Sequence, residues 1–471
     1  FDNLGIENAR FQVQENSEEA SIPIHQNFRI IATSTIDGLN DISPALLNRF
    51  TIIYIDDQLV ELLNDEEKLI NFVQHISIQS PQKSDIKLIA QSAIRNKDEM
   101  TISRISKIVR GFFSLKKEIP RALSKSVLDF CISATSSSTD LPALDESFVT
   151  LLLSLLNEDK GDSTFDSFLF KEASATRQIM AVLVAAYIAG FHVVLIGKTG
   201  LGKTSAAIAL SRLYKYSKGR QFISFNGETQ LEELFGYFTI EKGNFTSHSG
   251  PLSDAMEEGK IFIADELNLA DQMIIQSLNV AIEPSKNDQI ILPVIGRNII
   301  VNENFFFIGC QNDISMYGRK PLPPQFQKKV LCIKYPENSR TDLLSLTTSL
   351  ARQFNLKPEF SSGTTEMIEK MKQDPVFQKK VWSLREVRRL FRRTNYTSSH
   401  TNSMIGFSIY TNAAFLLRSA FRDTENISEK AVDLVSSAFG LSKIQSASLK
   451  SDLDAEVKVF KMESKSQIQL K

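Results

Sequence analysis

Gly197, Gly200, Gly202, Lys203 and Thr204 stand in GKTGLGKT, a GxxxxGKT pattern completed by Lys198, Thr199 and Leu201 and followed by Ser205. Three glycines let the chain turn its backbone N–H groups toward one point, and the start of a helix adds positive partial charge there. A lysine and a hydroxyl at the end of such a loop suit the phosphates of a nucleotide. Lys203 would reach the β- and γ-phosphates, and the Thr204 hydroxyl would ligate Mg2+. A glycine-rich turn with a chance Lys-Thr would need no special flanks, yet apolar VVLI leads in and alanine-rich SAAIAL leads out.

A second pair, Asp265 and Glu266, closes the apolar run in KIFIADELNLAD. Carboxylates at the C-terminal end of a strand face the ligand crevice of an open parallel sheet. Asp265 would hold the Mg2+ through water, and Glu266 would polarise an attacking water. Asn312 ends FFFIGCQN and is a weaker signal alone, since Asn often follows strands as a turn residue. Between the other two strands, its amide would orient that water or the terminal phosphate.

Such side chains need a sheet to hold them. Residues 166–340 alternate apolar strand runs with helical periodicity, the pattern of an α/β unit, and helical periodicity fills 341–445. The stretch IMAVLVAAYIAGFHVVLIG (179–197) approaches the length of a membrane span. Gly190 and His192 divide it, so it reads as a buried helix to about Ala189, a turn and a core strand. Upstream, 1–57 read as the last strands of another α/β unit and 58–135 as helices. Residues 136–165, entered through the Ser/Thr-rich SATSSSTD, read as a connector. Residues 446–471 are a tail or the link to a further unit. The chain opens at Phe1 without Met and reads as an excerpt of a longer polypeptide.

Composition sets the class. The chain has 471 residues, 42% hydrophobic and 23% charged, with a formal net charge of -1. That is an ordinary globular balance with no global pull toward nucleic acid or membrane. Cys131, Cys310 and Cys332 form no CxxC, and the histidines show no metal-ligand spacing. Cys310 and Cys332 lie in apolar runs and read as core residues.

The chain also repeats itself. NFRIIATST (27–35) aligns with NFFFIGCQN (304–312), ISPALLNRF (42–50) with LPPQFQKKV (322–330), and EMTISRISKIVR (99–110) with VWSLREVRRLF (381–391). Three matches in order at a nearly constant spacing indicate two copies of one module, the first lacking its front half.

With the GxxxxGKT loop, the segments GPLSDAMEEGKIFIADELNLAD, QNDISMYGRKPLPPQF and FRIIATSTIDGLNDISPALLNRF resemble the AAA+ ATPases, in particular the dynein-related, midasin-like subfamily, over nearly the whole chain. The resemblance implies an α/β fold of tandem P-loop AAA+ modules. Each is a parallel-sheet, three-layer α/β/α core with a small helical lid and β-hairpin insertions. LEELFGYFTIEKGNFTSHSGPL is similar to an insertion around the second helix, and QIILPVIGRNIIVNENF to a hairpin before the third sensing strand. Residue by residue, the resemblance makes 197–204 Walker A, Asp265 and Glu266 Walker B, Asn312 sensor 1 and Arg385, in SLREV, sensor 2. ATP and Mg2+ are the implied cofactors.

Arg49 and Lys329 are the implied trans-acting fingers, each serving a neighbouring module's site rather than the one at 197–204. Lysine keeps the charge and loses arginine's planar fork, and Arg319 on the preceding loop is a possible substitute. Thr35 and Ser103-Arg104 depart from the sensor pattern in the first copy. The implied partners are adjacent modules of one long chain in a pseudo-hexameric ring and a pre-ribosomal (pre-60S) particle. No membrane is implied, and direct nucleic-acid contact is left open. The implied location is the nucleus. Alternatives are a module that holds nucleotide without hydrolysis, a dynein or giant ubiquitin-ligase relative, and a nucleic-acid translocase. The near-zero net charge and the lack of a basic groove signature weigh against the translocase.

Arg385, Arg388, Arg389, Arg392 and Arg393 fall at helical spacing on one face, opposite Leu384, Val387, Leu390 and Phe391. The expectation is a solvated face for 388–393 over a packed one.

Overall fold

The computed structural model describes residues 10–12, 21–23, 30, 32, 43, 50, 58–77, 81–157, 174–241, 244–283, 288–292, 296–312, 320–401, 405–421 and 426–453. Two compact units divide the chain, Phe1–Asp65 and Glu66–Lys471. In the first, β1 (Arg10–Gln12) pairs antiparallel with β2 (Ser21–Pro23), and α1 spans Gln58–Asn64. Arg49 and Thr35 lie outside the described residues, as does Arg319 of the second unit.

The second unit opens with helices. They are α2 (Glu66–Ile76), α3 (Lys83–Arg95), α4 (Ile102–Glu118), α5 (Ser124–Ala134) and α6 (Glu146–Ser154). Helix α7 (Ser174–Ala189) is apolar around its whole circumference, and Ile179 to Ala186 are fully buried. It packs against α4, α6 and the helix that follows the phosphate loop, so every side of it needs an apolar surface. At Gly190 (φ 76) the chain turns out of the helix, and no described helix is long and apolar enough to cross a membrane.

The chain then alternates. Strand β3 (Val193–Ile196) leads to α8 (Lys203–Leu213), β4 (Arg220–Ser224), α9 (Leu231–Phe235), β5 (Gly236–Glu241), β6 (Asn244–Ser249) and α10 (Pro251–Glu258). Next come β7 (Ile261–Asp265), α11 (Gln272–Ala281), β8 (Gln289–Ile291), β9 (Asn298–Ile300), β10 (Phe306–Gln311), α12 (Pro324–Gln327) and β11 (Leu331–Lys334). Five strands form one parallel sheet in the order β11-β3-β10-β7-β4. Their β-branched and aromatic runs are nearly continuous because parallel sheets are covered on both faces. Helix α8 packs on β7 and β10, and α10 on β4 and β7. Cys310 and Cys332 are buried free thiols in β10 and β11, and burial pushes the Cys332 thiol up to about 11.

Two hairpins leave the sheet. At the base of the β5–β6 pair, Gly236 has φ +106, and a Cβ there would sit 2.0 Å from the His248 carbonyl oxygen. Only glycine allows that approach. Tyr237, Phe238 and Ile240 on this hairpin are exposed. The β8–β9 pair is the second hairpin, and it carries the sequence repeat into structure. Strand β2 begins at residue 21 and β9 at 298, the same offset of 277 that separates NFRIIATST from NFFFIGCQN.

The C-terminal helices are α13 (Arg340–Gln353), α14 (Glu359–Gln373), α15 (Leu384–Thr401), α16 (Ile405–Ala420) and α17 (Ile427–Phe439). Helix α15 is the second copy of α4, and the caps fix the register. Thr101 accepts the Arg104 amide at the start of α4, and Ser383 accepts the Arg385 amide at the start of α15. In that register Ile105, Ile108, Val109 and Phe112 match Val387, Leu390, Phe391 and Thr394, all buried. The counterpart of Arg385 is therefore Ser103, not Arg104, which corrects the alignment of one arginine on the other. Arg104 instead braces its own helices, donating to the carbonyls of Glu99 (2.8 Å) and Ile132 (3.1 Å) and to the Glu99 carboxylate (3.0 Å).

The arginine stripe also needs one correction. Val387, Leu390 and Phe391 are fully buried, and Arg389 and Arg392 are exposed as expected. Arg393 is packed: its Nε donates to Asn412 Oδ1 at 2.6 Å, and its guanidinium lies 4.2 Å from the Phe415 ring centre, tying α15 to α16. Five arginines at helical spacing span more arc than a solvated stripe, so the last one turns inward beside α16. Arg393→Ala is expected to lower stability by about 2 kcal/mol, from a lost hydrogen bond and cation–π contact. Arg392→Ala should change it by less than about 0.5 kcal/mol. Urea midpoints of the two variants compared with the parent check the contrast.

Candidate nucleotide site

The sheet brings the three motifs to one edge. Strands β3, β10 and β7 lie side by side, with Gln311 opposite Ile196 and Gly309 opposite Ala264. The residues just beyond them, the 197–204 loop, Asn312 and Asp265-Glu266, therefore converge. In the loop, Gly200 (φ +82) and Gly202 (φ +102) take left-handed conformations that a side chain would strain. Gly202 also caps α8, so the helix starts at Lys203 directly behind the loop.

Lys203 is buried, and its ammonium donates to the carbonyls of Gly197 (2.7 Å) and Lys198 (2.8 Å) and to Asn312 Oδ1 (2.9 Å). The Asn312 amide nitrogen donates in turn to Glu266 Oε1 at 2.6 Å. One asparagine thus joins the loop cation to the candidate base. Thr204 Oγ1 donates to Asp265 Oδ1 at 3.0 Å, and the same carboxylate oxygen accepts the Glu266 amide at 3.1 Å. Glu266 holds φ 52, ψ 38, left-handed for a residue with a Cβ. Such backbone costs about 1–3 kcal/mol and collects at functional sites. Behind the cluster the Cys310 thiol is pushed up by burial first and by Asp265 next, with a hydrogen bond to Thr204 opposing.

Several contributors had no motif of their own. Asn268 donates from its side-chain nitrogen to the Asn312 carbonyl at 2.9 Å and so fixes the residue that bridges Lys203 and Glu266. Tyr335 seals the loop from β11: its amide donates to the Ile196 carbonyl at 2.7 Å, and its Cβ lies 3.3 Å from where a Cβ on Gly197 would be. Lys198 pairs with Glu337 at 2.6 Å on the surface, and that hydrogen bond holds the Glu337 carboxyl below its usual range. From the helical region, Ser383 reaches the loop, since a Cβ on Gly200 would lie 2.3 Å from Ser383 Cβ and Oγ. A capping pair with Glu386, S-x-x-E, holds Ser383 there.

The remaining expected residues stand apart. Thr199 and Ser205 are exposed, and Leu201 lies against Gly197. Arg385, two residues from Ser383, is exposed at the start of α15. Lys329 pairs with Glu283 at 2.6 Å and donates to the Asn279 carbonyl at 3.3 Å, on the surface facing α4.

Comparison with known proteins agrees with this geometry. The AAA domain of the dynein-related subfamily matches residues 192–330. A midasin of Giardia intestinalis is 24% identical over 289 residues, 61% of this chain and 5% of that protein. A midasin of Dictyostelium discoideum is 28% identical over 161 residues, 33% of this chain and 3% of that protein. The Bacillus subtilis protein YojN, described as uncharacterized, is 32% identical over 163 residues, 33% of this chain and 52% of that one. The chain thus spans only a small part of the length of the midasins it matches. The loop, the paired carboxylates and the bridging asparagine all lie inside the matched segment, and residues 192–330 are an AAA domain of the dynein-related subfamily in a midasin-like chain.

Proposed function

We propose that residues 192–330 bind ATP with Mg2+ and hydrolyse it, as one module of a ring built with neighbouring modules of a long midasin-like chain. One observation carries this reading: Lys203, Thr204, Asp265, Glu266 and Asn312 form a continuous hydrogen-bonded set at the edge of a single sheet. Phosphate oxygens would take the Lys203 ammonium over from the carbonyls that hold it, at the N-terminus of α8 where backbone charge favours an anion. Thr204 and Asp265 offer two hard oxygen donors 3.0 Å apart, a set that suits Mg2+ completed by phosphate and water. When bound, the ion supplies neutralisation of phosphate charge. Glu266, steadied by Asn312, would align the attacking water and draw off its proton. Ser383 places the helical lid against the loop, so closure around nucleotide would be sensed by α15.

The similarity to midasins and the two copies in one chain support the finer reading. The ring would remodel pre-60S ribosomal particles in the nucleus. ATP turnover by the full chain should depend on Mg2+ and stop in excess EDTA, and failure to bind ATP at all would overturn the nucleotide assignment. Sedimentation of the chain with free ribosomal subunits only, never with large-subunit precursors, would overturn the choice of substrate.

A further inference from the structure

A cleft of about 940 Å³ opens between α4 and the α/β unit, away from the phosphate loop. Ser103, Lys107, Arg110 and Lys117 line it from α4, one helical face. Opposite stand Asn279, Glu283 and Lys329 from the ends of α11 and α12. Among the described lining residues, Lys107, Arg110, Lys117, Lys328 and Lys329 face only two carboxylates, Glu283 and Asp288.

Two of these ammonium groups are held close together. Lys107 Nζ donates to the Lys328 carbonyl at 3.2 Å, while Lys329 Nζ takes the Glu283 carboxylate. Burial first, and Lys329 next, hold the Lys107 ammonium below its usual range, with Glu283 opposing. Like charges brought this close call for a shared anion, and Glu283, its side chain 66% exposed, is a surface partner that a stronger anion can displace.

The internal repeat indicates which anion. At the second copy the start of α15, Ser383, touches the phosphate loop at Gly200. The matching start of α4, Thr101 to Ser103, opens into this cleft, with serine where the second copy carries Arg385. We propose that the cleft is a second phosphate-binding site, in which Lys107 and Lys329 together grip the polyphosphate group of a ligand. Its volume suits a nucleotide-sized molecule. Lys107 then supplies the charge that Ser103 lacks, one turn further along α4, and Glu283 is the resting counter-ion that the ligand replaces. The choice of ligand rests on the reading of the repeat as a nucleotide-binding module, while the anion site itself does not.

The test uses the full chain carrying Lys203→Ala, which silences the loop site, titrated calorimetrically with inorganic pyrophosphate and separately with ATP. A residual site is expected. Lys107→Gln or Lys329→Gln in that background should weaken it at least about tenfold, a loss equivalent to one charge-assisted contact. Glu283→Gln should tighten it severalfold, a gain that misfolding would not produce. Tighter binding of ATP than of pyrophosphate assigns the site to a nucleotide, and equal binding assigns it to a free polyphosphate. No residual binding, or residual binding indifferent to Lys107 and Lys329, overturns the proposal. Weaker binding in Glu283→Gln overturns the counter-ion role and with it the site. If the loop assignment alone is wrong, Lys203→Ala will leave total binding unchanged while the cleft variants still act.

Discussion

A chain carrying Glu266→Gln is expected to bind ATP as the parent does and to turn it over about 10²–10³ times more slowly, the usual loss when a positioned base is removed. The structure explains why binding should survive. Glutamine keeps an oxygen at the position that accepts the Asn312 amide at 2.6 Å, so the bridge from Lys203 through Asn312 stays connected. The left-handed backbone at 266 and its amide bond to Asp265 involve no side-chain charge, so the local fold should persist. Only the ability to take a proton from water is lost. Single-turnover hydrolysis measured beside equilibrium binding separates the two steps. Wild-type turnover in the variant would remove Glu266 from the mechanism.

Lys203→Ala acts earlier. The buried ammonium fills three acceptors, and the proposed exchange hands it to the phosphates. Its removal should weaken ATP binding about 100-fold, near 2.7 kcal/mol, in the range of lost charge-assisted contacts. It should also destabilise the empty protein by about 1–3 kcal/mol, because Asn312 Oδ1 and the Gly197 carbonyl lose a buried donor. Lys203→Met refills the volume without the charge and should behave like alanine in binding. A thermal-shift series with and without ATP reads both effects, and an ATP-induced shift equal to the parent's would contradict them.

The chemistry of the site was legible in sequence where residues neighbouring in space are also neighbouring in the chain. The loop from Gly197 to Thr204 and the pair Asp265-Glu266 are continuous stretches, each following its own strand. Helix α7 was legible because Gly190 and His192 interrupt the apolar run. What stayed hidden depends on register between distant segments. Ser383 meets Gly200, and Asn268 meets Asn312, through packing that no spacing encodes. Arg104 misled because matching arginine to arginine outweighs the quieter agreement of Thr101 with Ser383 and of Ile105 with Val387. Capping and burial set the true register, and an exposed arginine is free to differ. Arg393 escaped for a related reason: periodicity gives an angle around the helix, and whether a neighbour covers that angle is a tertiary matter.

The contact between Ser383 and Gly200 makes α15 a lever pivoted on the phosphate loop. Its 18 residues give an arm of about 27 Å, so a rotation of about 10° at the pivot would sweep the far end through about 5 Å. Arg393, clamped on Asn412 and Phe415, would carry α16 along with it. A displacement of a fraction of an ångström where nucleotide enters could thus emerge several ångströms larger at the rim, the kind of gain a motor needs to move something much bigger than its fuel.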